Sequence, residues 1–90
     1  SEEGFIAIFA VVDQSEEQIV TGPHIQARAM AEDQSVFDDI LPELTVTLQE
    51  ALEKGADTYA KQQAMRRENG SWASRKLRRS PMIIPTVVTV

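Results

Sequence analysis

Apolar residues occupy eight consecutive positions, Phe5 to Val12, in the stretch GFIAIFAVVD, and Asp13 ends the run. Its length and its β-branched and aromatic content predict a strand rather than a helix. Alternation puts Phe5, Ala7, Phe9 and Val11 on one face and Ile6, Ile8, Ala10 and Val12 on the other. Neither face is polar, which predicts a strand buried on both sides. After the polar connector DQSEEQ, the segment IVTGPHIQARAM reads as a second extended element. Gly22-Pro23 interrupts it as a bend or bulge, because proline cannot donate to a sheet ladder. The two segments and their short loop predict a hairpin.

The period then changes. In EDQSVFDDILPELTVTLQEALEKG, residues Phe37, Ile40, Leu41, Leu44, Leu48, Ala51 and Leu52 recur at three- and four-residue spacing, the stripe of an amphipathic helix. Ser35 is the candidate N-cap, with Asp38 three residues on, and Gly55 the candidate stop after Lys54. Pro42 leaves two readings open: the regular helix starts there, with proline in its favoured first turn, or it kinks there. ADTYAKQQAMRRENGSWASRKLRR predicts a second helix, capped by Asp57 or Thr58, with Tyr59, Met65, Trp72 and Leu77 on its inner side. Asn69-Gly70 in its middle weakens it by about 1 kcal/mol and predicts a bend. The segment PMIIPTVVTV returns as a strand. Met82, Ile84, Thr86, Val88 and Val90 share one face, Ile83, Pro85, Val87 and Thr89 the other, and Pro85 predicts an edge position or a bulge.

The order β-β-α-α-β predicts an α+β fold, a small three-stranded sheet with two helices packed on one face. Two helices cover one face only, yet the first and last strands are apolar on both. The uncovered face is therefore expected to be a contact surface, since an isolated apolar face invites aggregation. Ile6, Ile8, Ile83 and Val87 are the candidate contact residues, against a second copy of the chain or against neighbouring domains.

Ninety residues make one small domain, which buries only about 60–65% of its unfolded surface, so its core is thin. The chain has no cysteine, which removes disulfides and thiolate metal sites and suits a reducing cytoplasm. No apolar run approaches the roughly 18 residues of a membrane span, and no membrane partner is expected. Because the first residue is Ser1 rather than methionine, the chain is expected to be one domain of a larger protein. Its formal charge of −5 hides an asymmetry: Lys61, Arg66, Arg67, Arg75, Lys76, Arg78 and Arg79 crowd the last third against Glu68 alone. A basic helix of this kind attracts phosphate even in an acidic protein, or forms a solvated face.

Candidates for catalysis are few. His24 is the only histidine, beside Gly-Pro in a predicted turn, and a zinc site needs several converging ligands. Glu32, Asp33, Asp38 and Asp39 gather where the first helix starts and there complement its positive end. No phosphate-cradling glycine loop and no nucleophile triad is present. Tyr59 and Trp72 have the chemistry to stack bases, but their helical spacing points to core positions. The chain alone is expected not to be an enzyme.

The ending RRSPMIIPTVVTV closely resembles that of bacterial ribonuclease J, whose last segment typically runs Arg-Arg-x-Pro-Met-Ile-x-Pro into a β-branched strand. GFIAIFAVVD resembles the first strand of the C-terminal domain of that family, IVTGPHIQARAM its hairpin segment, and QQAMRRENGSWASRKLRR its helix with paired arginines. Three positions depart from the pattern. Ala29 stands where glycine is common, Asn69 where an apolar residue is usual, and Ser80 where a basic residue or glycine is common.

The resemblance implies a single interaction domain over residues 1–90 of a larger ribonuclease. That parent would be a metallo-β-lactamase-type nuclease with an inserted β-CASP domain, acting as a 5′-to-3′ exonuclease and as an endonuclease. Two metal ions, zinc in most members, would sit in motifs upstream that this chain lacks. This domain would support self-assembly and full activity, with RNA reached through the parent. Alternatively, Arg66, Arg67, Arg75, Lys76, Arg78 and Arg79 would make it an RNA-binding module in its own right.

Overall fold

The first apolar run becomes the middle of the sheet. The computed structural model describes residues 4–90. In it, strand β1 (Phe5–Asp13) lies between β2 (Gln18–Arg28) and β3 (Met82–Thr89). β2 runs antiparallel to β1, with Phe5 opposite Arg28, Ala7 opposite Gln26 and Phe9 opposite His24. β3 runs parallel to β1, from Phe5 opposite Met82 to Val12 opposite Thr89. The order β-β-α-α-β and the α+β class match the sequence pattern. The register of β2 slips near Gly22-Pro23, the expected bulge. Gly22 is needed there: it adopts φ +92°, and a Cβ would lie 2.6 Å from the Phe9 carbonyl oxygen.

Pro42 resolves as a start. Residues Gln34–Ile40 form a 3₁₀ helix, and α1 (Leu41–Glu53) begins next to it with proline in its first turn, where the missing N–H costs nothing. The cap expected at Ser35 is instead Asp33, whose carboxylate accepts from the Ser35 amide at 3.1 Å. α1 ends at Glu53, and Gly55 takes the left-handed conformation (φ +73°) that stops a helix.

Helix α2 (Thr58–Trp72) is capped by Asp57, which accepts from the Ala60 amide at 2.8 Å. It runs unbroken through Asn69-Gly70, where the sequence suggested a bend. The irregularity comes later, as a π-helical turn at Ala73–Leu77, after which Arg78 leaves in a left-handed conformation. Tyr59 does not face inward: it is 70% exposed, whereas Met65 and Trp72 are buried.

One hydrophobic cluster joins the layers. Ile6, Ile8, Ala10, Val12, Ile83 and Val87 from the sheet meet Phe37, Ile40, Leu44, Leu48, Leu52, Met65 and Trp72 from the helices. The Phe37 and Trp72 rings meet at 5.7 Å between centroids, tilted by 56°, a geometry aromatic pairs favour. Asn69 is buried in the same layer, and neither its amide nitrogen nor its oxygen has a partner.

Candidate functional site

Which strand face the helices cover decides what surface the domain offers. Both helices lie over Ile6, Ile8, Ala10 and Val12 of β1 and over Ile83 and Val87 of β3. The expected contact residues Ile6, Ile8, Ile83 and Val87 are therefore core: all four are buried. The strand alternation that placed them together was sound, but the face it left outward is the other one. That face carries Phe5, Phe9, Met82, Ile84 and Val88, with Phe9 44%, Ile84 43% and Val88 42% exposed. Half-buried Ala7 and Val11 fill the gaps between them along β1.

The face is apolar across β1 and β3 and polar along β2. Arg28 lies opposite Phe5, Gln26 opposite Ala7 and His24 opposite Phe9. The His24 Nε2 and the Thr21 hydroxyl share a hydrogen bond of 2.9 Å on this side. At the hairpin end Asp13 accepts from the Ser15 hydroxyl at 2.8 Å and from the Glu16 amide at 3.1 Å. Those two bonds hold its carboxyl below the usual aspartate range, the Ser15 hydroxyl contributing most.

Both free edges of the sheet are blunted by glutamine. On β3, the Val87 amide points outward and donates to Gln62 Oε1 of α2 at 3.0 Å. Pro85, two residues earlier, points the same way and has no N–H to offer, which is how an edge strand accommodates proline. On β2, Gln34 makes two bonds of 3.3 Å: its Oε1 accepts from the Ala27 amide and its Nε2 donates to the Ile25 carbonyl. Capped edges discourage a further strand, so the face is the part of the sheet left open to a partner.

The basic residues are less gathered than a straight helix would make them. Arg66 Nε donates to Gln63 Oε1 at 3.0 Å, and Arg75 Nε reaches the Ser71 hydroxyl at 3.5 Å. Arg79 pairs with Glu32 at 3.5 Å, tying the start of β3 to the loop after β2. Arg67, Lys76 and Arg78 project from the surface. A single stripe through residues 67, 75 and 78 would need 100° per residue, and the π-helical turn followed by the left-handed Arg78 breaks that spacing.

On the outer side of the helix layer, Pro42, Glu43, Val46, Thr47, Glu50 and Glu68 line an open groove of about 420 Å³. The Glu68 carboxyl there is held above the usual range, first by a hydrogen bond with Glu43, then by burial and by the Glu43 charge; Arg75 opposes the shift. Among the described residues, no three His, Cys, Asp or Glu side chains converge to hold a metal ion. The acidic residues Asp33 and Glu32 instead cap a helix and pair with Arg79. Among the described residues no helix is long and apolar enough to cross a membrane.

The described residues thus form a two-layer α+β domain with a closed core and one apolar sheet face left open. The chain belongs to the ribonuclease J C-terminal domain family, whose profile matches residues 1–90. It is similar to the Ribonuclease J of Mycobacterium tuberculosis (strain CDC 1551 / Oshkosh), 31% identical over 88 residues, which cover 97% of this chain and 16% of the relative. The Ribonuclease J of Mycolicibacterium smegmatis is 30% identical over 88 residues, and that of Corynebacterium glutamicum 32% over 89 residues. The chain spans 16% of the length of the mycobacterial relatives and 12% of the corynebacterial one.

Proposed function

We propose that this chain is the non-catalytic assembly domain of a ribonuclease J, and that it joins two copies of the protein through the open face of its sheet. The parent is then a cytoplasmic, metal-dependent ribonuclease with exo- and endonuclease activity. Its metal ions and nucleolytic residues lie in the part of the protein outside these residues. The observation that carries the reading is the row Phe5, Phe9, Ile84 and Val88, apolar side chains on a face that no described element covers. A second copy is the favoured occupant because the face is self-similar: its apolar strands can meet their own counterparts in an isologous pair.

Area sets the strength. Three strands of eight to eleven residues span about 30 by 14 Å, or about 400 Å² per copy. Stable complexes bury about 800 Å² per partner, so the domain alone forms a weak dimer. In the full protein further contacts and tethering add to it.

Light scattering across a concentration series tests this. The expected result is a mass rising from monomer toward dimer, and loss of that rise in Phe9→Asp with the fold intact by circular dichroism. A mass that stays at monomer throughout would assign the face to the catalytic body instead. Contact with RNA through Arg66, Arg67, Arg75, Lys76, Arg78 and Arg79 has one observation in its favour, the outward projection of Arg67, Lys76 and Arg78. Affinity for single-stranded RNA that falls steeply with salt would support it.

A further inference from the structure

Among the described residues, the open face carries charge only near its two ends. At one end Arg28 lies beside Phe5; at the other Asp13 lies beside Gln18. Between them, along eight positions of β1, run Ala7, Phe9 and Val11, with Ile84, Thr86 and Val88 alongside. The hairpin turn beyond Asp13 adds exposed Glu16 and Glu17, while Arg78 adds charge beyond the Arg28 end. The molecule is long and narrow, 42 × 18 × 17 Å. Its described open face is thus a rod with an acidic tip and a basic base.

Two sheets that pack face to face align their strands within about 30°, and a two-fold axis in the plane between them can lie in either of two directions. An axis along the strands lays β2 over β3 of the other copy and keeps both hairpin turns at the same end. Asp13, Glu16 and Glu17 of the two copies then crowd together, as do the two Arg28 side chains. An axis across the strands lays β2 over β2 in reverse, and each Arg28 arrives above Gln18 and Asp13 of the other copy. The first arrangement sets polar β2 against apolar β3, whereas the second sets β3 against β3, so apolar contact and the charged ends favour the same orientation.

We propose that two copies dock open face to open face with their central strands antiparallel, each Arg28 seated over the Asp13–Gln18 end of the other. The inference rests on the reading of this face as a self-association surface and adds its orientation and the residues that set it. Asp13 is an anion at neutral pH and already anchored by Ser15 and Glu16, so the charge it presents is fixed in place. Arg28 has length enough to cross the gap of about 10 Å between stacked sheets.

The chain has no cysteine, so Glu16→Cys gives a single site for a nitroxide label at the turn, away from the apolar face. Pulsed electron resonance on the dimer is expected to give about 35–40 Å between labels, because the turns sit at opposite ends. A distance below about 20 Å overturns the antiparallel arrangement. Charge reversal gives an independent reading. Arg28→Glu and Gln18→Lys are each expected to weaken the dimer about tenfold, and the double variant to return within about threefold of the parent. Absence of that rescue also overturns the proposal. If Phe9→Asp abolishes the dimer while the label distance is short, self-association on this face stands and only the orientation falls. If no dimer forms, or Phe9→Asp leaves it unchanged, both readings fall together.

Discussion

Asn69 is fully buried, and neither polar end of its amide is satisfied. Each buried donor or acceptor left unpaired costs about 1–3 kcal/mol, because water bonded it in the unfolded chain. Asn69→Leu is therefore expected to raise the unfolding free energy by about 1–3 kcal/mol in a urea titration. An unchanged or lower midpoint would show that the amide has a use. Ala29 is a milder case. It adopts φ +57° at the end of β2, a left-handed conformation that glycine tolerates and alanine resists. Ala29→Gly is expected to stabilise by about 1 kcal/mol, less than the bare strain because glycine loses more entropy on folding. Thermal unfolding at neutral pH decides it, and a fall in midpoint would reject it. Both residues stand out in the sequence as departures from the ribonuclease J pattern, and both prove to be places where the fold tolerates an ill-suited side chain.

Among elements, the contact of α1 with α2 has a built-in response to pH. Glu68 and Glu43 share a hydrogen bond, which requires a proton between them, so the folded Glu68 binds protons more readily than the unfolded one. That stabilisation is complete below the unfolded glutamate value of about 4.3 and is lost as pH rises through the raised folded value. Asp13, shifted downward, acts in a separate window: its contribution is present above about 3.9 and lost as pH falls through its lowered folded value. Glu68→Gln is expected to flatten the fall in urea midpoint as pH rises above the unfolded glutamate value of about 4.3. The same slope in variant and parent would remove Glu68 as its cause. The strand edges make a second prediction. Gln62→Ala frees the outward amide of Val87, and with it a ladder onto which another strand can add. Species larger than a dimer, growing with concentration in light scattering, are expected of this variant alone. A mass profile like that of the parent would mean Pro85 blunts the edge without help.

For the whole molecule, the sequence carried more of the architecture than of the site. A continuous β-branched and aromatic run, then apolar spacing near 3.6, then a second β-branched run were enough for β-β-α-α-β, because each element is long and distinct in pattern. The outward face was not legible in β1 or β3, whose two sides are equally apolar. The signal lay in β2, which does alternate. Its apolar Ile25 and Ala27 pack against the core, whereas His24, Gln26 and Arg28 are polar and stand opposite Phe9, Ala7 and Phe5. Carried across the hairpin register, that alternation marks Phe5 and Phe9 as uncovered and Ile6 and Ile8 as core. Two register slips hide it, one at Gly22-Pro23 and one between Thr21 and Ile19, because the parity of β2 flips at the first and returns at the second. The layout of the basic residues was hidden for another reason: a helical wheel cannot anticipate a π-helical turn.

The parallel pairing of β1 with β3 joins segments roughly 77 positions apart. A ribosome adding about 5–20 residues per second releases the second of them some 4–15 s after the first. During that interval β1 has one neighbour instead of two, and half of the open apolar face does not exist. Nascent chains on adjacent ribosomes therefore cannot engage one another through it. On the proposed reading of this face, a message cut short before the Met82 codon yields a product that lacks its β3 half, so docking through it favours chains translated through β3.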